Sequence, residues 1–328
     1  MTRTRRYHAV IAMSRPRKSP GDLPTLTPIT DRLIRSGAEI SLDDPDAITY
    51  QHTVLCQTAM PYRAMRERTW DRRNGRVRLR VVAGEALDPR TDEFVEMPLP
   101  YGSRVRLILM HLNGEALRSG EPAIEVGRSL TAYAQRIIGY HPSGPHLRTF
   151  QRQLTSLGVA TVRLAMVHDG RTTQLNTNII TGMDLWAPNH PRQTNLWSSI
   201  VVLNDHYFES LAAHAVPLDE RAIAALSHSA MALDIYTWLA QRLHRIGRQR
   251  QEFVPWTSLL EQFGAGYTRV RDFRAFFIKQ LAAVHTQYPD ARFETDRKGV
   301  WLRNSPPPVT RIGITIDAPA EEPPPIEN

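Results

Sequence analysis

Cysteine is almost absent: Cys56 stands alone among 328 residues. That excludes an internal disulfide and any zinc site built on several thiolates, and makes a reducing cytoplasm the expected compartment. Long apolar runs are missing as well. No stretch approaches the roughly 20 residues of a membrane span. Arg5-Arg6 precedes an apolar stretch at 7–13, but it is too short for a secretory leader and Arg15, Arg17 and Lys18 follow it. Signatures of catalysis are equally scarce. The 12 histidines include no His-x-His pair, and there is no P-loop, nucleophile elbow or His-Glu-x-x-His. Asp44-Pro45-Asp46 has the form of a metal-binding pair, but it lies in a polar loop beside Asp43, away from any buried strand. No catalytic residue, metal or cofactor is expected.

What the chain does have is positive charge. Lys and Arg number 41 against 33 Asp and Glu, a formal charge of +8. An excess of this size points to a polyanionic partner, nucleic acid before an acidic membrane surface. Apolar residues make up 41% and charged residues 23%, the balance of a globular chain, and the length allows two domains.

Residues 1–20 hold six basic residues, two prolines and no acid, which reads as a flexible arm. Tyr50, Val54, Leu55 and Ala59 recur at helical spacing, predicting a helix from about Asp46 that Pro61 kinks or ends. Eight arginines and two acids fall within 63–80. Arg63, Arg66, Arg68, Arg72 and Arg73 form a cluster that suits a phosphate surface as well as a solvated or dimer-contact face. Asn74-Gly75 predicts a turn before a strand at 77–81, with a second strand near 94–97 completing a small sheet.

Helices then follow at 103–117, 130–138 and around Leu147, Phe150, Leu154 and Leu157, with β-rich runs at 159–167 and 172–181 joined through Asp169-Gly170. The same order returns: a long helix at 231–246, a short helix ending at Gly264, a helix carrying Phe273, Phe276, Phe277, Leu281 and Val284, and a hairpin at 291–303. The copies stand 125 to 127 positions apart, from Gly139 and Gly264 to Leu157 and Val284. Asp234, inside the long apolar helix, is expected to pair with an arginine or a backbone N–H.

The fold expected is therefore α+β: tandem winged helix-turn-helix domains with an N-terminal helix/hairpin extension. Its divisions are a disordered basic arm (1–25), the extension (26–97), the first winged-helix domain (98–215), the second (216–305) and a disordered acidic Pro-rich tail (306–328).

In such domains the third helix enters the major groove. Burying Leu147, Phe150, Leu154 and Leu157 leaves Arg148, Gln151, Arg152 and Thr155 on one outer face. Arginine suits guanine, glutamine adenine, and threonine a thymine methyl or a phosphate. The matching face of the second copy carries Arg271, Arg274 and Lys279, with Arg269 just before it. One amphipathic helix with cations outside is ordinary; two, each between a short helix and a hairpin, point to duplex DNA. Arg163 and Arg171 are expected on the first wing, Arg297 and Lys298 at the tip of the second.

Several segments resemble plasmid replication initiators of the RepA type, the RepA C-terminal family. They are Val216-Pro217-Leu218-Asp219, Ala232 to Leu239 (ALDIYTWL), Trp256, Gln262-Phe263-Gly264, Tyr288 to Arg292 (YPDAR) and Ser305-Pro306-Pro307-Pro308-Val309. Upstream, Leu99-Pro100-Tyr101-Gly102-Ser103, Ser129-Leu130 and Leu196-Trp197 extend the likeness to about 47–309. The resemblance implies a cytoplasmic, non-catalytic protein that binds repeated sites at a plasmid origin, opens the duplex nearby and recruits a host initiator and the replicative helicase. It also implies a monomer–dimer equilibrium linked to copy control. A transcriptional repressor without an initiator role, and a catalytic origin nickase or primase, are the alternatives.

Overall fold

The structure, a computed structural model, describes residues 27–88, 91–168, 171–184 and 199–309. The basic arm, the tail beyond 309, the Asp169-Gly170 turn and Leu196-Trp197 lie outside the described residues.

Helix α1 (Pro28–Leu42) opens with Pro28 in its first turn and the Thr27 side chain capping it. After a polar loop come β1 (Ile48–His52) and the short α2 (Thr53–Gln57). The helix expected from Asp46 is thus a strand followed by a single helical turn or so. Ile48, Thr49 and Tyr50 favour extended backbone, and the strand pairs antiparallel with β11 (Ala215–Asp219), a partner no local spacing reveals. Strands β2 (Thr69–Asn74) and β3 (Val77–Val82) make the hairpin expected at Asn74-Gly75, with Gly75 at φ 53°. Among the described residues strands β4 (Glu85–Asp88) and β5 (Glu93–Glu96) pair with each other alone, so the strand near 94–97 does not complete the β3 sheet.

One arrangement then occurs twice. Its first copy is α3 (Gly102–Ser119), β6 (Ala123–Gly127), α4 (Leu130–Ile138), α5 (Gly144–Val159), β9 (Ile180–Asp184) and β10 (Ser199–Leu203). Its second, after α6 (Asp205–His214), β11 and α7 (Glu220–Leu226), is α8 (Ala230–Arg242), β12 (Gln251–Pro255), α9 (Trp256–Phe263), α10 (Val270–Gln287), β13 (Phe293–Thr295) and β14 (Gly299–Arg303). In both sheets the last strand lies between the other two, antiparallel to each: β6-β10-β9 and β12-β14-β13. A constant spacing of 127 aligns the third helices by burial: Phe150 with Phe277, Gln153 with Gln280, Leu154 with Leu281 and Leu157 with Val284. Phe276, 126 positions after Phe150, faces outward instead, 38% exposed.

The first copy carries an insertion between α5 and β9, the hairpin of β7 (Thr161–His168) and β8 (Arg171–Asn178). It pairs with β3, giving a four-stranded antiparallel sheet β2-β3-β7-β8. The hairpin at 159–181 is therefore not the counterpart of the one at 291–303; that position belongs to β9 and β10. Strand pairing also crosses the division drawn at 97/98, since β2 and β3 share a sheet with the inserted hairpin.

Helix α8 is the hub. Every residue from Met231 to Gln241 is buried, and α2, α3, α7, α10 and β11 pack around it. Asp234 on α8 meets Arg106 on α3 through Nε–Oδ1 at 2.6 Å and Nη2–Oδ2 at 2.8 Å. The pairing expected of Asp234 is present, with a partner 128 positions away.

Two histidines are held neutral in the core. His52 Nδ1 accepts from the Val54 N–H at the start of α2, and burial, with His214 nearby, depresses its pKa to about 3. Burial and the neighbouring Arg136 depress His111 to about 4. Both titrate near 6.5 when unfolded, so their contribution to stability is complete above that value and is lost as the pH falls toward 4. Acidification from pH 6 to 5 is expected to lower the unfolding free energy by about 2 kcal/mol. Urea midpoints across this range check it; a flat profile contradicts it.

Candidate nucleic-acid interface

Helix α5 starts with Pro145 in its first turn and no side-chain cap, so its first N–H groups point outward unclaimed by a capping side chain. Phe150, Gln153, Leu154 and Leu157 are buried. Gln153 Oε1 accepts from the Tyr101 N–H at 2.7 Å, which ties α5 to the start of α3. Arg148 and Arg152 are fully on the outer face, with Gln151 and Thr155 half-buried at its margins. The face expected from periodicity is present, and its two cations are its most exposed members.

Helix α10 follows Arg269, which caps it by backbone alone. Asp272 in the first turn lies 3.1 Å from Arg269 Nε and 3.6 Å from Arg271 Nε. These ion pairs are more than 40% exposed on both sides, so they leave the arginines free to exchange Asp272 for a phosphate at little cost. Arg271 and Lys279 face solvent, with Ala275 and Ala282 exposed between and beyond them. Small side chains there let the backbone approach another surface closely. The expected sequence face missed these alanines because no charge marks them. Arg274 departs from the expected solvent-facing position: it is half-buried, its guanidinium 5.4 Å from the centre of the Trp256 ring. In the 127-residue register Lys279 corresponds to Arg152, and Arg271 and Arg274 have no cationic counterpart.

The hairpin at 293–303 has a rigid tip. Asp296 Oδ1 accepts from the N–H groups of Lys298 (2.6 Å) and Gly299 (2.8 Å), and Oδ2 from Trp301 Nε1 (3.1 Å). Those donors hold the Asp296 carboxyl below the usual range, so it stays ionised and the turn stays closed. Arg297 and Lys298 project from it, both exposed.

Arg163 and Arg171 are exposed but sit on the inserted hairpin, not on the counterpart of that tip. Arg163 lies directly across from Arg80, and so joins the arginine-rich β2–β3 segment. The twelve cationic and polar residues singled out from sequence therefore divide among two helix faces, one hairpin tip and one sheet. Among the described residues no group of His, Cys, Asp and Glu is placed to hold a metal ion, and no helix is long and apolar enough to cross a membrane.

These features define a mixed α+β protein in which a helix–strand–helix–helix–hairpin unit occurs twice. Residues 99–257 match the family model described as plasmid encoded RepA protein. The match takes in the whole first unit and the start of the second, and ends before α10. A search of curated proteins gives no match. Among solved structures, the selenomethionine form of domains 2 and 3 of RctB aligns with a TM-score of 0.47 at 9% identity, covering 77% of this chain and 98% of that one. A second structure of RctB domains 2–3 aligns at 0.45 and 10%, covering 76% and 94%.

Proposed function

We propose that this protein initiates plasmid replication by binding repeated duplex sites at an origin through two winged-helix domains. The observation that carries the reading is the repeated unit itself, whose third helix in each copy turns cations outward and whose sheet order matches in both. On this reading α5 and α10 are the major-groove helices, with Arg148, Gln151, Arg152 and Thr155 on one and Arg269, Arg271 and Lys279 on the other. Arg274 supports α10 from beneath, and Arg297 and Lys298 reach the adjacent backbone. Residues 161–178 are an insertion in the first domain, and the counterpart of the second hairpin is formed by β9 and β10.

The protein acts without catalysis, metal or cofactor. It is a cytoplasmic protein that hands the opened origin to a host initiator and the replicative helicase, and a monomer–dimer equilibrium lets the same helices repress its own promoter and limit copy number. The likeness of residues 99–257 to the plasmid encoded RepA family supports the initiator role over a repressor alone.

A plasmid that carries the DNA flanking this gene, but no other origin, is expected to replicate only when the protein is supplied in trans. Sequence-specific binding without replication would leave a repressor as the correct reading. Incubation with Mg²⁺ and supercoiled origin DNA is expected to leave the DNA intact; site-specific nicking would show the protein to be an enzyme.

A further inference from the structure

The four-stranded sheet has one face in the core and one in solvent. Trp70, Leu79, Val81, Val162 and Leu164 fill the inner face. Across the outer face run two rows fixed by strand register. One row reads Asp71, Arg80, Arg163, Asn176, and the other Arg73, Arg78, Ala165, Gln174. Arg73 thus stands directly opposite Arg78, and Arg80 directly opposite Arg163. Like charges placed across from one another destabilise a sheet. Among the described residues one carboxylate offsets them: Asp71, which both Nε and Nη2 of Arg80 engage. Arg78 donates to the carbonyls of Gly75 and Val77, and neither it nor Arg73 or Arg163 has a carboxylate within ion-pair distance among the described residues. Two repulsive pairs on one face have no use in folding. They suit a polyanion.

We propose that this outer face is a third DNA contact, distinct from the two helices, that grips the phosphate backbone of duplex DNA beyond the recognised site without reading its bases. It rests on the DNA-binding reading in taking the polyanion to be DNA. The face favours duplex over single strand. Platforms for unpaired bases combine cations with exposed aromatic rings, and this face has none; its one aromatic neighbour, Trp70, points into the core. Four strands make a surface about 15 Å wide, with same-face side chains about 7 Å apart along each strand, broad enough to lie along a rigid backbone. Arginine forks bind phosphate oxygens in pairs, and Gln174 and Asn176 supply neutral donors beside them. Position supports it too. The β2 edge, through Arg72 and Arg73, shares a groove with Glu261 and Tyr267 in and just after α9, which leads directly into α10. DNA leaving α10 on that side meets the sheet next.

The test compares wild type with R73Q/R78Q/R163Q, and with R163Q alone. Three probes are used: a duplex enriched by the protein from a random pool, trimmed to the recognised site; the same site with about two further helical turns on each side; and a single strand of the longer length. The triple variant is expected to bind the trimmed duplex within about threefold of wild type and the longer duplex at least about tenfold more weakly. Its salt slope on the longer duplex is expected to be shallower by about 2 to 3. Its melting temperature is expected to equal or exceed that of wild type, since like-charge pairs are removed. R163Q, which removes no side-chain hydrogen bond among the described residues, is expected to show the same trend in smaller measure. Equal binding of the longer duplex by all three proteins overturns the proposal, as does a loss confined to the single strand. Failure of wild type to bind any duplex overturns the DNA-binding reading itself.

Discussion

Arg106→Met is expected to destabilise the protein by about 3–5 kcal/mol, the cost of stranding a buried charge. The guanidinium is almost fully buried and uses all five of its N–H donors: two on Asp234, and the rest on the carbonyls of Met60 (2.8 Å), Pro61 (3.3 Å) and Gly102 (2.8 Å). It therefore ties α3 to α8 and both to the segment that follows α2. Its removal leaves the Asp234 carboxylate buried without its counterion, and takes a donor from each of three carbonyls, of which Pro61 keeps the Gly102 N–H. Burial already pushes the Asp234 carboxyl up, against the pull of Arg106. Without Arg106 it protonates on folding instead. Asp234→Asn is expected to lose somewhat less, because the amide oxygen still accepts from the guanidinium. The double variant R106M/D234L is expected to regain much of the loss, since a well-packed apolar pair replaces both charges. Urea unfolding measures all three. A loss under about 1 kcal/mol for Arg106→Met, the scale of an exposed ion pair, contradicts the role given to this bridge.

The second large effect concerns DNA. Replacing Arg148, Arg152, Arg271 and Lys279 together by Ala is expected to weaken specific duplex binding by at least about 100-fold, roughly 2.7 kcal/mol. The four are exposed and form no part of the core, so stability is expected to stay within about 0.5 kcal/mol of wild type. Arg274 is left out deliberately. It covers the Trp256 ring, and its loss mixes packing with charge.

The helices were largely legible because their signals are local. Ser129 and Gly139 mark both ends of α4, and the Gly139 φ of 79° is the left-handed cap that glycine adopts without strain. Of the α5 residues marked by spacing, Phe150, Leu154 and Leu157 are buried and Leu147 is half-buried, while the buried Gln153 carries no apolar signal. What escaped the sequence was set by distant partners. Residues 48–52 have helical spacing yet pair as a strand with 215–219, and the hairpin at 161–178 looks like a wing until its pairing with 77–82 is seen. The short strands β6 and β10 carry too few residues to declare a period, so the sheet that defines the first unit was missed. The candidate surface was legible in part. Helical periodicity marked Arg148, Arg152, Arg271 and Lys279, whereas the half-burial of Arg274 depends on a tryptophan 18 positions away. The arginines on the outer sheet face were visible as a cluster, but only strand register places Arg163 among them.

The most direct measurement is a footprint of wild type and the four-alanine variant on the duplex that wild type enriches from a random pool. Two protected major-groove segments, about one helical turn or a whole multiple of it apart, are expected with wild type and neither with the variant. Enrichment of no duplex, or an unchanged footprint with the variant, contradicts the assignment of α5 and α10 as the helices that bind DNA.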